Sequence, residues 1–457
     1  MKKLAAFFVF IMIAGGAFLL VLNKNFAKDS VTYNSVDVSK SSPVSGKIFR
    51  VCVNEFSKCG FVDEEGNIVL EPKYETILDF KHGLAIVTQR HENFGFVNEK
   101  GEIAIELKFS YVSDFNANGF AAAAKEGKYG IINKSGEWVV EPDLTFMYIG
   151  GFNDEGLAIA VDINSKFGII NESGEWLVEP KFEQMTWSKD LILALSDERW
   201  GFINKSGEWV VEPRFDTIHG YFNENGSTLA NTTQGVWGLL RENGEFTPKP
   251  EIKTITEYLY GAIAQGTSTS GIRVLINAEG KVFPRNFDYV GSFSNGLAMV
   301  WSENKSKGYI NEEGEVAIKA QFEDANAFAK NGLAAVKTEG KWGFINKSGE
   351  FAINPSFDDA GLFFDNGLAS VAVGDEDGEH LKWGLINEQG EWVASPQFGE
   401  IWGFDKDGLG FVLVENGYGY IDQSGEFIFF IDETNGYDDR VAKNRKGEIV
   451  WRESKIE

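Results

Sequence analysis

The string Lys341-Trp342-Gly343-Phe344-Ile345-Asn346-Lys347-Ser348-Gly349-Glu350 is one copy of a pattern that recurs, with substitutions, eleven times between residues 58 and 427. A fixed period of this kind decides the fold class before any single residue is weighed, because each unit must bury its faces against the next. A first glycine, usually preceded by an aromatic, falls at Gly60, Gly95, Gly130, Gly168, Gly201, Gly238, Gly308, Gly343, Gly384 and Gly419, at spacings of 33 to 41 residues apart from one double gap. A degenerate copy at Arg273-Val274 fills that gap. A second glycine follows six residues later in all eleven copies, from Gly66 to Gly425, and seven of the ten prolines stand six residues after it. The unit is therefore about 36 residues long.

Within residues 73–108, four short runs rich in aliphatic, β-branched and aromatic residues (76–80, 84–88, 94–98 and 103–106) lie between Gly, Asn, Lys and Pro breakers. That pattern predicts an antiparallel β-meander, and no helical stripe crosses the breakers. The Asn-Lys-Ser-Gly-Glu segment is expected to form a type I turn closed by a left-handed glycine. The glycine after the aromatic is expected to let a neighbouring strand or side chain lie close over the backbone. The recurrent Glu before Pro (Glu71, Glu141, Glu179, Glu212) reads as a residue that caps or salt-bridges a turn. The expected fold is all-β: eleven tandem meanders spanning residues 47–430, in either a β-propeller-like or an open superhelical array, with a possible seam at 238–290 and a cap or tail at 431–457.

Residues 4–22 are apolar without interruption after Met1-Lys2-Lys3. Nineteen residues span about 28 Å as a helix, close to the roughly 30 Å of a bilayer's hydrocarbon core. This predicts one transmembrane helix at 1–22, acting as a signal anchor, with a tether at 23–46 and the repeats outside the cytoplasm. Cleavage of the segment would instead release a secreted protein. Cys52 and Cys59, the only cysteines, flank a predicted hairpin turn in the first repeat, so they pair as a disulfide or stand as two buried thiols.

With 68 acidic against 43 basic residues, the net charge of −25 repels phosphate backbones and excludes nucleic acid as an expected partner. No metal-ligand, nucleophile-elbow or phosphate-loop motif occurs, so no metal, cofactor or catalytic residue is expected. Most tryptophans sit at fixed positions of the repeat and read as core. Trp187, Trp301 and Trp402 are off-pattern and are the candidate exposed binding aromatics.

The ten-residue string, followed by Pro355 and Phe357, resembles the WG-repeat proteins of bacteria over roughly residues 48–430, with departures at Cys59, Arg273-Val274 and Lys307. The resemblance implies a β-rich tandem array, often exported, and transfers no catalytic motif. The expected function is a membrane-tethered, extracytoplasmic, non-enzymatic binding or scaffold protein in a single-pass arrangement at a bacterial cell membrane. Its repeat surface would meet a protein or a cell-envelope polymer. The alternative is a propeller-type hydrolase or lyase acting on glycans or esters, with acidic and polar residues such as Asp375, Asp377, His380 and Asp405 converging from different repeats.

Overall fold

The computed structural model describes residues 47–453, except 54–57, 90–92, 220–221, 223–225, 260–262, 278, 285–286, 375–379, 435 and 437–439. The expected anchor and tether, and Asp375 and Asp377, lie outside the described residues. Among the described residues every regular element is a β-strand, and no helix is long and apolar enough to cross a membrane.

The strands form consecutive antiparallel meanders. Seven sheets have four strands each, at 76–109, 111–143, 146–182, 252–284, 289–322, 324–357 and 359–398. Two further units share the long strand Trp209–His219 and so merge into one seven-stranded sheet at 184–248. The first sheet, 48–74, has only three strands, and the last, 400–452, has six. Strands are named here by their order in a four-stranded unit; the described residues of the first sheet supply the second, third and fourth strands.

The repeated string spans the third strand and the hairpin to the fourth. In the copy at 346–350, the Gly349 amide donates to the Asn346 carbonyl at 2.9 Å, and the Asn346 amide donates to the Glu350 carbonyl at 2.9 Å. Gly349 has φ +83°, the left-handed residue that follows a type I turn. Asparagine recurs because its Oδ1 accepts from the Ser348 and Glu350 amides at 2.9 and 3.1 Å, doing locally what a backbone carbonyl would do. Glutamate recurs because its carboxylate accepts from the Asn346 side-chain Nδ2 at 3.3 Å and holds that side chain in place.

The other glycine serves a bulge. Around Gly201 the ladder slips: Trp200 pairs with Phe215 but Phe202 pairs with Val211, so Glu212, Pro213 and Arg214 stand against a single residue. A Cβ at Gly201 would lie 2.9 Å from the Pro213 nitrogen and 2.8 Å from the Trp209 ring. Proline suits this bulge because no ladder bond is asked of its nitrogen. The expectation of close backbone approach holds, whereas the Glu-before-Pro residues stand exposed within fourth strands beside the bulge and not at turns. The degenerate copy departs from this geometry: Val274 takes the dyad position opposite Gly266, and it pairs with Pro284 in a ladder that runs to Ile276–Val282 without a bulge.

Both sheet faces are buried, as the apolar alternation predicts. Eleven apolar clusters occur among the described residues, and ten of them are shared by units that follow each other in the chain. The eleventh joins the two ends: Phe49, Val51, Val53 and Val62 of the first sheet pack with Leu409, Tyr418, Tyr420, Phe429 and Ile431 of the last. The hairpin 441–452 extends the last sheet through Asn444-Arg445-Lys446-Gly447-Glu448, a twelfth copy of the turn with the same bonding. It comes 22 residues after the preceding turn glycine and so escapes a search at the repeat period.

Candidate functional site at the closure of the array

The three candidate tryptophans lie in different sheets and do not form one site. Trp187 pairs with Ile192 and packs, partly buried, on the cluster of Phe182 and Met185. Trp301 stacks on Tyr289 at 4.7 Å with the Lys307 ammonium 5.1 Å from its ring, so this lysine, which replaces the dyad aromatic, covers the indole instead. Trp402 is 61% exposed, donates to the Glu400 carboxylate at 2.6 Å and packs edge-on against Phe411 at 5.3 Å.

Trp402 belongs to the closure. Its neighbour Ile401 faces back into the cluster shared with the preceding sheet. Trp402 turns the other way, onto Phe411, which packs on Tyr418 and Tyr420 of the cluster shared with the first sheet. Its register can be compared across units, because one first-strand residue always pairs with the second-strand residue opposite the dyad position, as Ile401–Val412–Gly419 and Ala360–Val371–Gly384 illustrate. The residue after that first-strand position is Ser113, Gly150, Thr186, His219, Thr256, Gly291, Asn326 or Gly361 in eight units. It is large and apolar only at Leu78 and Trp402, 45% and 61% exposed, in the two sheets that flank the three-stranded one.

The first sheet's second strand, Ile48–Val53, therefore carries the edge that a first strand covers elsewhere. Cys52 and Cys59 face each other across this hairpin and form a disulfide. The Cys52 amide donates to the Tyr420 hydroxyl at 2.9 Å, and that hydroxyl lies 3.4 Å from the Cys52 carbonyl. One tyrosine from the last sheet thus satisfies a peptide on the edge. Burial pushes the Tyr420 hydroxyl well above the ordinary tyrosine range and keeps it neutral.

Beside this latch is a cleft of about 330 Å³, lined by Ile48 and Arg50 of the edge, Leu78 to Phe80 of the second sheet, and Asp405 to Asp407 of the last. The Arg50 guanidinium donates to the Ile77 carbonyl at 2.6 Å, and Lys406 pairs with Asp79 at 3.0 Å. The Asp405 carboxylate accepts from the Asp407 and Leu409 amides at 2.9 Å each, which gives it a turn-forming role. Among the described residues no group of His, Cys, Asp and Glu could hold a metal. The described residues that line this cleft include no assembled nucleophile, base and oxyanion donors.

A second aromatic group, Tyr111, Tyr129 and Tyr148, has ring centroids 5.4 to 5.9 Å apart. The Tyr111 and Tyr148 hydroxyls lie 3.4 Å from each other, and burial is the main cause raising the pKa of Tyr111 and of Tyr129. These hydroxyls hold two sheets together rather than face a ligand.

Sequence reasoning offered Trp402 as a candidate and Cys52 and Cys59 as a possible disulfide, which is formed, and did not single out Arg50, Leu78, Tyr420 or the cleft.

Among solved structures, the chain is similar to a eukaryotic initiation factor (9% identity, TM-score 0.37, covering 76% of this chain and 95% of that one). It is also similar to BamB from Moraxella catarrhalis (14%, TM-score 0.29, 60% and 94%) and to the extracellular domain of the putative hybrid two-component system BT3049 from B. thetaiotaomicron (8%, TM-score 0.24, 87% and 69%). A search of curated proteins finds no match. The family model described as "WG containing repeat" matches nine segments, at 60–90, 94–129, 129–166, 167–198, 200–230, 275–305, 308–342, 342–376 and 383–418. These segments cover more than half of the chain and carry the turn, the bulge and the dyad described above, and the chain belongs to the WG-repeat family.

Proposed function

We propose that this protein is a membrane-tethered, extracytoplasmic, non-enzymatic binding or scaffold protein, anchored by residues 1–22 and presenting a closed, propeller-like array to a protein or cell-envelope partner. The observation that carries the reading is that, among the described residues, Trp402 and Leu78, 61% and 45% exposed, are the large apolar side chains at a first-strand register that is small or polar in eight other units. Large exposed apolar residues rimmed by charge are the usual mark of a recognition surface. The core shared by the first and last sheets supports closure, and the uninterrupted apolar run at 4–22 supports anchorage. The net charge of −25 favours basic partners and disfavours phosphate polymers.

The test is crosslinking of the full chain in intact membranes, followed by pull-down, together with co-sedimentation of the purified full chain with cell-wall sacculi at low and high salt. Retention of a defined protein or of sacculi is the expected outcome. Recovery of neither overturns the reading.

A further inference from the structure

We propose that the hairpin 441–452 is an autoinhibitory strap: it occupies the edge of strand Phe427–Asp432, which without it pairs with the same strand of a second copy of this chain. The proposal goes beyond the binding reading above and does not depend on it.

The sequence sets this edge apart. In each of the ten preceding units the fourth strand carries a charge five residues after its turn glycine, a proline six residues after it, or both, as at Glu71-Pro72, Glu106, Lys319 and Pro355. The charges at Glu71, Glu106 and Lys319 are exposed. Exposed charge, proline and bulges are the devices that keep a sheet edge from pairing with another chain. The eleventh unit has Phe430 and Ile431 at those two places. Its ladder also lacks the slip around the dyad glycine: Gly419 pairs with Phe430, Tyr418 with Ile431 and Gly417 with Asp432. In a regular unit, Trp342 and Phe344 pair with Phe357 and Ile353 across a bulge. A straight edge reading Phe-Ile-Phe-Phe-Ile-Asp has the β-propensity and low charge that favour strand addition.

This edge does take a partner strand, from its own chain. Phe429 to Asp432 pair antiparallel with Asn444 to Val441. The Asn444 amide donates to the Glu448 carbonyl, away from the edge, so by alternation the amides of Lys443 and Val441 face Phe430 and Asp432. The strap is held by this short ladder and by ion pairs: Lys443–Asp432 at 2.6 Å, Lys446–Glu65 at 3.5 Å, and Arg445–Asp422. Of its residues only Ala442 is a buried member of the shared apolar cluster, whereas Phe429 and Ile431 beneath it belong to that cluster in their own right. Release of the strap therefore bares the edge without dismantling the core. Two such edges related by a two-fold axis pair antiparallel, and this closed contact gives a dimer and not a fibre.

The test is sedimentation-velocity ultracentrifugation of the purified full chain in detergent over a concentration series. The parent is expected to sediment as a monomer. Val441→Pro with Lys443→Pro removes both amides that the strap directs at the edge and is expected to give a discrete dimer whose fraction rises with concentration. Phe430→Glu, added to that variant, installs the charge found at this register in Glu71 and Glu106 and is expected to restore the monomer. Association through any other surface loosened with the strap would be indifferent to Phe430, so this reversal identifies the strand. In the dimer, hydrogen exchange at Phe430 and Asp432 should slow, and it should quicken on dilution. A strap variant that stays monomeric through the series, or a dimer that survives Phe430→Glu, overturns the proposal. Should the double variant fail to fold, Lys443→Pro alone takes its place and is judged by the same two outcomes.

Discussion

The interface between the sheets at 324–357 and 359–398 and the interface between the first and last sheets solve the same problem with different means. The former joins Trp342, Phe344, Phe357, Phe363 and Val371, residues close in sequence, in a single apolar cluster. The latter joins residues 368 positions apart at Cys52 and Tyr420 and 377 apart at Asn67 and Asn444. Closing a chain segment ten times longer costs about 2 kcal/mol more in loop entropy. Both add polar contacts to the apolar cluster: the former has the Asn326 side-chain amide on the Ala360 carbonyl at 3.2 Å and the Lys330–Asp365 ion pair, and the closure has the Tyr420 latch, the Asn444–Asn67 bond at 3.0 Å, the Arg445 amide on the Glu65 carbonyl at 3.0 Å, and Lys58 near Glu453 at 3.6 Å. The difference is that the closure's partners come from the two ends of the array, which no repeat spacing brings together.

The largest effect should come from breaking the repeated pattern itself. A Cβ at Gly343 would sit 2.6 Å from the Ile353 carbonyl oxygen and 2.7 Å from the Pro355 nitrogen, both backbone atoms. Gly343→Ala should cost about 3 kcal/mol in denaturant unfolding, and a wild-type midpoint would refute the bulge argument. Next comes the latch. Tyr420→Phe leaves the buried Cys52 peptide without its partner and should cost about 2 kcal/mol, with hydrogen exchange accelerated in strand Ile48–Val53 and unchanged in 334–345. Uniform acceleration through all the sheets would show that the closure is no weaker than its neighbours.

Gly349→Ala places a Cβ at φ +83° and about 3.2 Å from the Ile318 side chain, which can give way. A loss of about 1–2 kcal/mol is expected from the left-handed backbone alone. Its comparison with Gly343→Ala separates conformational strain from backbone collision.

The smallest effect is set by pH at the closing hairpin. The Lys443 ammonium, 2.6 Å from Asp432, and Thr434 hold the Asp432 carboxyl down at about 2. Because the folded pKa lies below the unfolded value near 4, the contribution is fully present above about pH 4 and is lost as pH falls toward 2. Lys443→Met should flatten that part of the acid-stability profile, and an unchanged profile would remove the ion pair from the account.

The turn and the close approach over the dyad glycine were legible because both are built from residues within one unit, whereas the bulge itself was not foreseen. Asn346, Gly349 and Glu350 satisfy one another, and Gly343 meets the bulge before Pro355, so spacing alone exposes them. Residue size at the Trp402 register was present in the sequence but hidden, because each bulge offsets the count and only strand pairing aligns Trp402 with Gly361 and Ser113. The closure was least legible, since Tyr420 resembles any dyad-strand aromatic until its hydroxyl is seen on Cys52. The final turn at Asn444 carries the motif in full but breaks the period.

The register broken at Trp402 also has a consequence for valency. A ligand that recognised the repeated Asn-x-x-Gly-Glu turn would find a copy of it on eight of the ten described sheets and bind with avidity. A ligand that recognised the exposed indole of Trp402 would find one site, because no other described unit carries a tryptophan at that register. In a nearly uniform array, the stoichiometry of such a ligand would be set by that one side chain and not by the number of repeats.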